Sequence, residues 1–280
     1  KSVYFNDCSF HGDIELTGTQ TYLSVSLSNC EVHGTFFLDH STLKGEFSSF
    51  NTRYLAAFSA TEALFEKHLR FWNNKVTGTT NFAKSTFHLG ANFMKSSFLD
   101  ELFMSDLTFV QRDDQEALFN RCVFKGPVFF SNSKFPSTSN FYTAIFENTV
   151  SFENADFGTG TPNFSITSFS SNRPPSIRGI KLSYPVKKDC SRIEKALSKC
   201  ELDDGEDRYR ALRKIAISNN DYDEELRFFA LEMKAKRFHS YGITSARGLI
   251  NVGYEVASDY GRSIRRPLLG LFWTSGIFWL

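Results

Sequence analysis

Histidine and cysteine side chains are the groups in this sequence best suited to bind a metal. The chain has six histidines and five cysteines. A structural zinc site takes four such ligands at short spacing, whereas Cys190 and Cys200 stand ten residues apart with no further ligand beside them. His11 and His33 lie 22 residues apart, a spacing that could stack them on neighbouring turns of a repeat. Two histidines are too few ligands, so the sequence predicts neither metal nor cofactor.

Carboxylates are the candidates for acid–base chemistry. Glu224, Glu225 and Glu232 alternate with basic residues, a pattern typical of a solvated helix face. The sequence contains no glycine-rich phosphate loop and no nucleophile elbow. We therefore expect a protein that is not an enzyme and has no catalytic residues.

Phenylalanine reveals the element that carries most of the chain. Between residues 119 and 157, Phe fills every position of an alternating five- and six-residue spacing. These residues are Phe119, Phe124, Phe130, Phe135, Phe141, Phe146, Phe152 and Phe157. The resulting 11-residue repeat indicates a solenoid.

The repeat can be traced back to Phe5 and Phe10 if a one-residue slip is allowed in the charged segment 111–117. Small residues such as Cys122 and Ala144 stand two places before the repeated positions. Residues i and i+2 then point inward, as in short strands and unlike helices. Two 11-residue units per coil predict a β-helix of seven or eight coils. Glycines two places after the second repeated position, such as Gly12 and Gly34, are expected at tight corners.

These features resemble the pentapeptide-repeat proteins, which place a small residue two before a central Leu or Phe. The resemblance covers Val3 to about Phe169, although every second step here has six residues instead of five. It implies a mainly β fold, a right-handed quadrilateral β-helix. The sequence beyond it predicts a small α-helical domain and the start of a transmembrane or interfacial helix.

Charge and cysteine use limit the partners. The net charge is +1, which gives no electrostatic support for nucleic-acid binding. Cys8, Cys30 and Cys122 fall on the small inward position, where a free thiol behaves as a compact apolar group. Reduced thiols fit a cytoplasmic location. The chain starts at Lys1 with the repeat already in register, so we expect the natural chain to extend upstream.

Beyond Phe169 the pattern becomes helical. Pro174, Pro175 and Pro185 mark the end of the solenoid. Apolar positions then predict short helices, one with the face Ile193, Ala196 and Leu197, one with Tyr209, Leu212, Ile215 and Ala216, and one with Leu226, Phe229, Ala230 and Met233. Asp221 is the expected cap of the third helix, and Glu232 should face Lys236. The domain boundaries predicted are 1–172 for the β-helix, 173–190 for a linker, 191–243 for the helical domain, 244–261 for a juxtamembrane helix and 262–280 for the truncated start of a transmembrane segment.

The C-terminal segment carries a membrane signal. Residues 267–280 contain no charged residue and directly follow an arginine cluster, as the positive-inside rule expects at the cytoplasmic side of a membrane helix. The juxtamembrane residues predicted are Asp259, Arg262, Arg265 and Arg266. The membrane-facing residues predicted are Leu268, Leu269, Leu271, Phe272, Trp273, Phe278, Trp279 and Leu280. Fourteen residues are fewer than the roughly 20 that cross a bilayer, so an interfacial helix is the alternative.

Residues 206–268 also resemble the linker of bacterial pentapeptide-repeat membrane proteins. The resemblance rests on the segments RYRALRKIA, DYDEELRFFALEMKAKR and YEVASDYGRSIRRPL. It implies a cytoplasmic solenoid attached to the bacterial inner membrane, and some relatives continue into an ion-channel module. The sequence shown contains no selectivity filter, so a channel is an extrapolation.

Two functions follow from these expectations. The first is a membrane-tethered interaction or sensor scaffold, whose partners are the lipid bilayer and either another protein or a second copy of the chain. The second is a soluble DNA mimic that binds a topoisomerase, which some pentapeptide-repeat proteins resemble. Such mimicry needs a strongly negative rod, whereas residues 1–170 are close to balanced in charge. The first function is therefore preferred.

Overall fold

The computed structural model describes residues 1–110, 115–158, 160–170, 172–182, 205–237 and 245–270. The chain divides into two compact units, Lys1–Ser183 and Tyr184–Leu280. The first unit is a β-solenoid, and the helices described below lie in the second.

Four parallel sheets form the faces of the solenoid, named here faces A to D in the order in which the chain meets them. Over the described residues, face A consists of Ser2–Asn6, Ser24–Ser28, Phe47–Phe50, Leu69–Trp72, Ala91–Asn92, Glu116–Leu118 and Thr138–Asn140. Face B consists of Ser9–Phe10, Glu31–Val32, Arg53–Tyr54, Lys75–Val76, Ser97–Phe98, Val123–Phe124, Ile145–Phe146 and Ser168–Phe169. Face C consists of Ile14–Glu15, Phe36–Phe37, Phe58–Ser59, Thr80–Asn81, Leu102–Phe103, Val128–Phe129 and Val150–Ser151. Face D consists of Gln20–Thr21, Thr42–Leu43, Leu64–Phe65, Thr86–Phe87 and Thr108–Phe109.

One coil takes 22 residues over most of the solenoid. Ser2 pairs with Ser24 on face A, and Ser9 pairs with Glu31 on face B. A coil therefore contains two 11-residue units and four short strands, as the repeat predicts. The seven strands described on face A correspond to about seven coils.

The interior of the solenoid is an aromatic stack. The predicted Phe positions from Phe119 to Phe157 are all buried. Their rings stack on the ring one coil away, with centroids 4.9 Å apart for Phe119 and Phe141 and 4.8 Å apart for Phe135 and Phe157. Each buried ring contributes on the order of 2 kcal/mol of hydrophobic stabilisation. The ladder is thus the principal source of the solenoid's stability.

The coil length changes once near the charged segment. Thr86 pairs with Thr108 at the usual spacing, but Ala91 pairs with Ala117, which is 26 residues later. The prediction of a one-residue slip here is wrong, because the coil gains four residues. A slip of one residue would have moved Phe119 to an adjacent face, whereas the structure stacks it on Phe93, with ring centroids 5.1 Å apart.

Two kinds of corner connect the faces. The five-residue steps turn through a residue with positive φ, and most of these are not glycine, as at Asn51 (φ 50°) and Lys84 (φ 60°). The repeated glycines occupy the six-residue steps, and Gly34 and Gly45 do not have positive φ. A Cβ on either would collide with the backbone of the preceding coil. The predicted role of these glycines as corner residues is corrected, since they are needed for close approach between coils.

Small polar residues connect successive coils from inside. The Ser96 hydroxyl donates to the carbonyl oxygen of Phe71 at 2.9 Å and accepts from the amide of Asn74 at 3.1 Å. Cys122 uses the same position, where its thiol donates to the carbonyl of Phe93 at 2.9 Å. Cys30 and Cys122 are buried free thiols, as the repeat predicts. These bonds satisfy backbone groups that the strand pairing alone leaves open.

The second unit contains three described helices, α1 (Gly205–Ser218), α2 (Tyr222–Lys236) and α3 (Ala246–Ser258). The predicted apolar face of α1, formed by Tyr209, Leu212, Ile215 and Ala216, is buried. The predicted cap of α2 is confirmed, because the Asp221 carboxylate accepts from the amide of Glu224 at 3.1 Å. The predicted face of α2 is partly wrong. Phe228 is buried in place of Leu226, which is exposed.

Several predictions fall outside the described residues. They include the short helical face at Ile193, Ala196 and Leu197, Cys190 and Cys200, and the membrane-facing residues from Leu271 to Leu280. A short helical segment covers residues 265–270. Across the portion of the chain that the structure describes, no helix has the length and apolar character needed to span a bilayer.

Candidate functional site

The interior of the helical unit contains ionised groups. Glu232 on α2 is only 2% exposed, which corrects the prediction that it belongs to a solvated face. Its Oε1 accepts from Lys236 Nζ at 2.8 Å, as the four-residue spacing predicts, and from Arg210 Nε of α1 at 3.2 Å. Arg213 Nη1 lies 3.5 Å from Oε2. Two arginines of α1 and one lysine of α2 thus offset the cost of burying this carboxylate.

A second polar cluster joins α2 to α3. Arg237 follows α2 directly, and its guanidinium donates to Asn251 Oδ1 from Nε at 3.1 Å and from Nη2 at 2.9 Å. The same Nη2 group donates to Glu255 and to the Tyr260 hydroxyl. We call these four residues, Arg237, Asn251, Glu255 and Tyr260, the polar junction.

The local sequence places the junction residues together. Asn251 and Glu255 are four residues apart and therefore lie on one face of α3. Asn251 also donates to the carbonyl of Met233 at 3.0 Å, which fixes α3 against the end of α2. At the other end of α3, Asp259, Tyr260 and Gly261 all have positive φ. This turn brings Tyr260 back onto the helix, at a cost of roughly 1–2 kcal/mol for each residue other than glycine.

Electrostatics hold the junction in one protonation state near neutral pH. Burial raises the pKa of Glu255, but hydrogen bonds from Arg237 and Lys234 outweigh it, so the pKa lies below its usual value. Burial also raises the pKa of Tyr260, against the influence of Arg237. An ionised Glu255 and a neutral Tyr260 hydroxyl therefore both bind the Arg237 guanidinium.

The predicted juxtamembrane residues follow the junction in sequence. Asp259 ends α3, and Arg262 Nη1 lies 3.7 Å from its carboxylate. Arg266 donates to the carbonyl oxygen of Glu255 at 2.9 Å, so it closes the turn back onto α3. Arg265 is exposed. The structure thus brings Asp259, Arg262 and Arg266 near the end of α3, and their membrane role stays a prediction.

Leu268 and Leu269 are the predicted membrane-facing residues that the structure describes. Both are exposed, at 50% and 59%. The other six predicted membrane-facing residues lie outside the described part of the chain.

The solenoid carries ladders of side chains on its outer surface. The predicted stacking of His11 on His33 is confirmed, with ring centroids 4.8 Å apart. Ion pairs join other coils, such as Arg53 to Glu31 at 2.7 Å. An exposed aromatic contact places the ring of Trp72 4.3 Å from that of Phe50. These columns repeat at the spacing of the coils and present a regular surface for contact with another macromolecule.

Concave sites on the solenoid are small and polar. A cavity of about 270 Å³ opens on face A beside His68, Arg70, Asn92 and Glu116. Within the residues described here, no group of three or more His, Cys, Asp or Glu side chains is placed to hold a metal. The cavity offers hydrogen bonds to a small polar molecule, and its geometry indicates no reaction.

Sequence reasoning missed the polar junction. Asn251 and Glu255 lie on one face of α3, whereas the residues on its other face are apolar. That contrast was a usable signal of an amphipathic helix. Without coordinates it would have been read with the apolar face inward, which is the reverse of what the structure shows.

Comparison with known proteins supports the repeat. Residues 114–156 match a family model described as pentapeptide repeats (9 copies). Neither the curated proteins nor the solved structures give a match to this chain. The family match and the β-solenoid together support a non-enzymatic scaffold for protein interaction.

Proposed function

We propose that this protein is a non-enzymatic, membrane-tethered interaction scaffold at the bacterial inner membrane, with its solenoid in the cytoplasm. In this role the solenoid binds a protein partner or a second copy of the chain, and the helical unit connects that event to the bilayer. It would serve as the sensor or regulatory part of a membrane protein, with an ion-channel module as one form of membrane domain.

The interaction role is supported by the solenoid surface. Coils of constant length repeat their outward side chains in columns, as with the stacked His11 and His33. Repeat proteins commonly use such extended surfaces to bind partners. A scaffold of this kind needs no catalytic group, which agrees with a surface built from ion-pair and aromatic ladders.

The observation that carries the membrane role is the C-terminal sequence. Arg262, Arg265 and Arg266 directly precede fourteen residues without charge, from Pro267 to Leu280. Arginines at the cytoplasmic end of an apolar run set the orientation of membrane segments. The exposed side chains of Leu268 and Leu269 begin this run and face no protein surface that would cover them fully.

The surface charge of the solenoid does not favour the DNA-mimic alternative. Residues 1–170 contain 17 acidic and 12 basic side chains. Duplex DNA carries one negative charge for about every 1.7 Å of its axis, far more than this modest acidic excess. Many of the acidic side chains are also paired, such as Glu31 with Arg53.

Carbonate extraction of bacterial membranes tests the tether. The full chain is compared with a chain that ends at Arg266, which keeps the contact of Arg266 with α3 and removes only the apolar run. We expect the full chain to stay with the membranes and the shorter chain to be extracted. A full-length Phe272→Lys, Trp273→Lys variant controls for chain length, because two charges in the run should make the protein extractable.

Extraction of the full chain would count against the tether and leave the scaffold role to be tested alone. In that case, protein partners should be captured in the cytosolic fraction. A tether that holds, with Arg265→Glu and Arg266→Glu reversing the topology of a reporter fusion, would assign the arginines their orienting role. Unchanged topology would restrict them to contacts with lipid headgroups.

A further inference from the structure

Helix α3 turns its polar face inward and its apolar face outward. The buried positions are Gly248 and Asn251, with Glu255 beside them. The opposite side carries only apolar or small residues, and all of them are exposed. They are Ala246, Leu249, Ile250, Gly253, Val256 and Ala257.

The exposure on this face is large. Leu249 is 60% exposed, Ile250 is 73% exposed and Val256 is 69% exposed. At about 100° per residue, these positions fall within one half of the helix circumference. We call this set of six residues the apolar face of α3. No charged residue of α3 lies within it, since Arg247 and Glu255 occupy other sides of the helix.

The rotation of α3 is determined by the polar junction. Asn251 contacts both Arg237 and the carbonyl of Met233, and Glu255 pairs with Arg237 and with Lys234 at 3.1 Å. Turning the helix to bury its apolar face would break these contacts and leave the Arg237 charge without its partners. The outward apolar face is therefore a built feature of the helical unit.

We propose that the apolar face of α3 lies on a bilayer rich in anionic lipid, with the helix parallel to the membrane plane. This inference rests on the proposed membrane tether and specifies where the helical unit meets lipid. Interfacial helices combine an apolar face with flanking cationic side chains that reach the headgroups.

Charge and chain continuity select lipid as the occupant. Segment 245–270 carries Arg247, Arg262, Arg265 and Arg266, and its two acidic residues, Glu255 and Asp259, each lie within ion-pair distance of a basic side chain. The exposed Ile264, Leu268 and Leu269 extend the apolar surface after the turn. The sequence then continues into the charge-free run 267–280. A surface that is apolar, cationic at its margin and continuous with a predicted membrane segment fits anionic headgroups above acyl chains.

Site-specific quenching by lipid tests this placement in the full chain. A fluorescent probe sensitive to polarity is attached at Ile250→Cys, and in a matched control at Ile145→Cys on face B of the solenoid. Cys8, Cys190 and Cys200 are replaced by Ser, and the buried Cys30 and Cys122 are kept. Both positions are exposed, so neither substitution disturbs a core.

Vesicles of phosphatidylglycerol and phosphatidylcholine containing nitroxide-labelled lipid supply the quencher. We expect the probe at position 250 to be quenched on vesicle-bound protein and the probe at position 145 to be unaffected. For protein without the run 267–280, Ile250→Glu should lower vesicle binding about tenfold, because it removes apolar area and adds a charge to the lipid-facing side. Replacing phosphatidylglycerol by phosphatidylcholine should also weaken binding of that shorter protein.

Two results would overturn the inference. One is a full chain that resists carbonate extraction while its probe at position 250 is not quenched, which would keep the tether and remove α3 from the interface. The other is efficient disulfide cross-linking of two chains through Gly253→Cys, which would show that a second copy covers the face. Quenching at position 250 in a chain that carbonate extracts would retain the interfacial helix and reject the tether.

Discussion

The two units of this protein solve the burial problem in opposite ways. The solenoid buries rings, such as Phe130 and Phe141, and leaves polar columns outside. The helical unit buries Glu232 and Arg237 among their counterions and leaves the apolar face of α3 outside. Burial of rings is non-directional, whereas burial of charges works only with particular partners at hydrogen-bond distance.

This difference has a consequence for specificity. Many ring arrangements would fill the solenoid interior, and the repeat tolerates Leu27, Met104 or Tyr54 at positions that elsewhere hold Phe. The polar junction has no such freedom, because each donor of Arg237 has a defined acceptor. The helical unit is therefore the part whose geometry depends on single side chains, and it is also the part that adjoins the predicted membrane segment in sequence.

The largest effect is expected in the solenoid. Phe130→Ala removes a fully buried ring that stacks on Phe152, with centroids 4.9 Å apart. Large-to-small changes of this kind cost about 3–5 kcal/mol, because they combine lost burial with a cavity. The free energy of unfolding measured by urea denaturation should fall by this amount.

Phe129→Ala is the matched control, since the neighbouring residue points outward. Its ring stacks on Phe103 at 5.3 Å, and both rings are only partly buried. We expect a loss of about 1 kcal/mol, the value of one surface aromatic pair. Equal losses for the two variants would show that the outer ladder stabilises the solenoid as much as its core.

The contrast between the units also explains what the sequence could predict. The solenoid was accessible because each coil repeats the same inward positions, so chance matches are excluded by the number of repeats. Register, core and even the outer His11–His33 stack followed from the spacing. The four added residues near the charged segment were misjudged because a five- and six-residue pattern returns to nearly the same phase after a slip of minus one or plus four.

Glycine was misread for a different reason. Its recurrence suggested positive φ, but the corners with positive φ use residues such as Asn51 and Lys84. Gly45 is required because the preceding coil lies directly against it. A single chain does not show which neighbour approaches a residue 22 positions away, so sequence spacing identifies the glycine without its reason.

The helical unit was predicted in outline and missed in its interior. The face of α1 and the Asp221 cap follow local rules, and both are confirmed. Glu232 and Arg237 look like ordinary surface charges, since their partners come from other helices. Burial of a charge depends on tertiary contacts that no local pattern encodes.

A second variant tests whether the polar junction sets the rotation of α3. Arg237→Met keeps the length of the side chain and removes the donors to Asn251, Glu255 and Tyr260. Loss of a charged hydrogen-bond network at an almost fully buried site should cost about 2–3 kcal/mol of local stability. Hydrogen exchange of the amides in Ala246–Ser258 should accelerate accordingly.

Arg265→Met is the control for that experiment. Arg265 is exposed, and its replacement removes the same charge from the same unit without touching the junction. Its exchange profile over α3 should match that of the parent protein. Acceleration by both variants would attribute the effect to net charge and would separate the helix rotation from the contacts of Arg237.

The smallest effect concerns the pH dependence of the helical unit. Burial raises the pKa of Glu232, but hydrogen bonds from Lys236 and Arg210 outweigh it, so the folded pKa lies below 4.5. The stabilisation is therefore complete above pH 4.5 and is lost as the pH falls through the lower, folded pKa. Glu232→Gln should remove this part of the acid sensitivity, seen as a flatter plot of unfolding free energy between pH 5 and 3. Glu224→Gln is the opposite case, because burial raises its folded pKa above 4.5. Its contribution is present at low pH and is lost as the pH rises through that folded pKa. Slopes that change in the same direction for both variants would contradict the assignment of Glu232 as a buried, counterion-stabilised carboxylate.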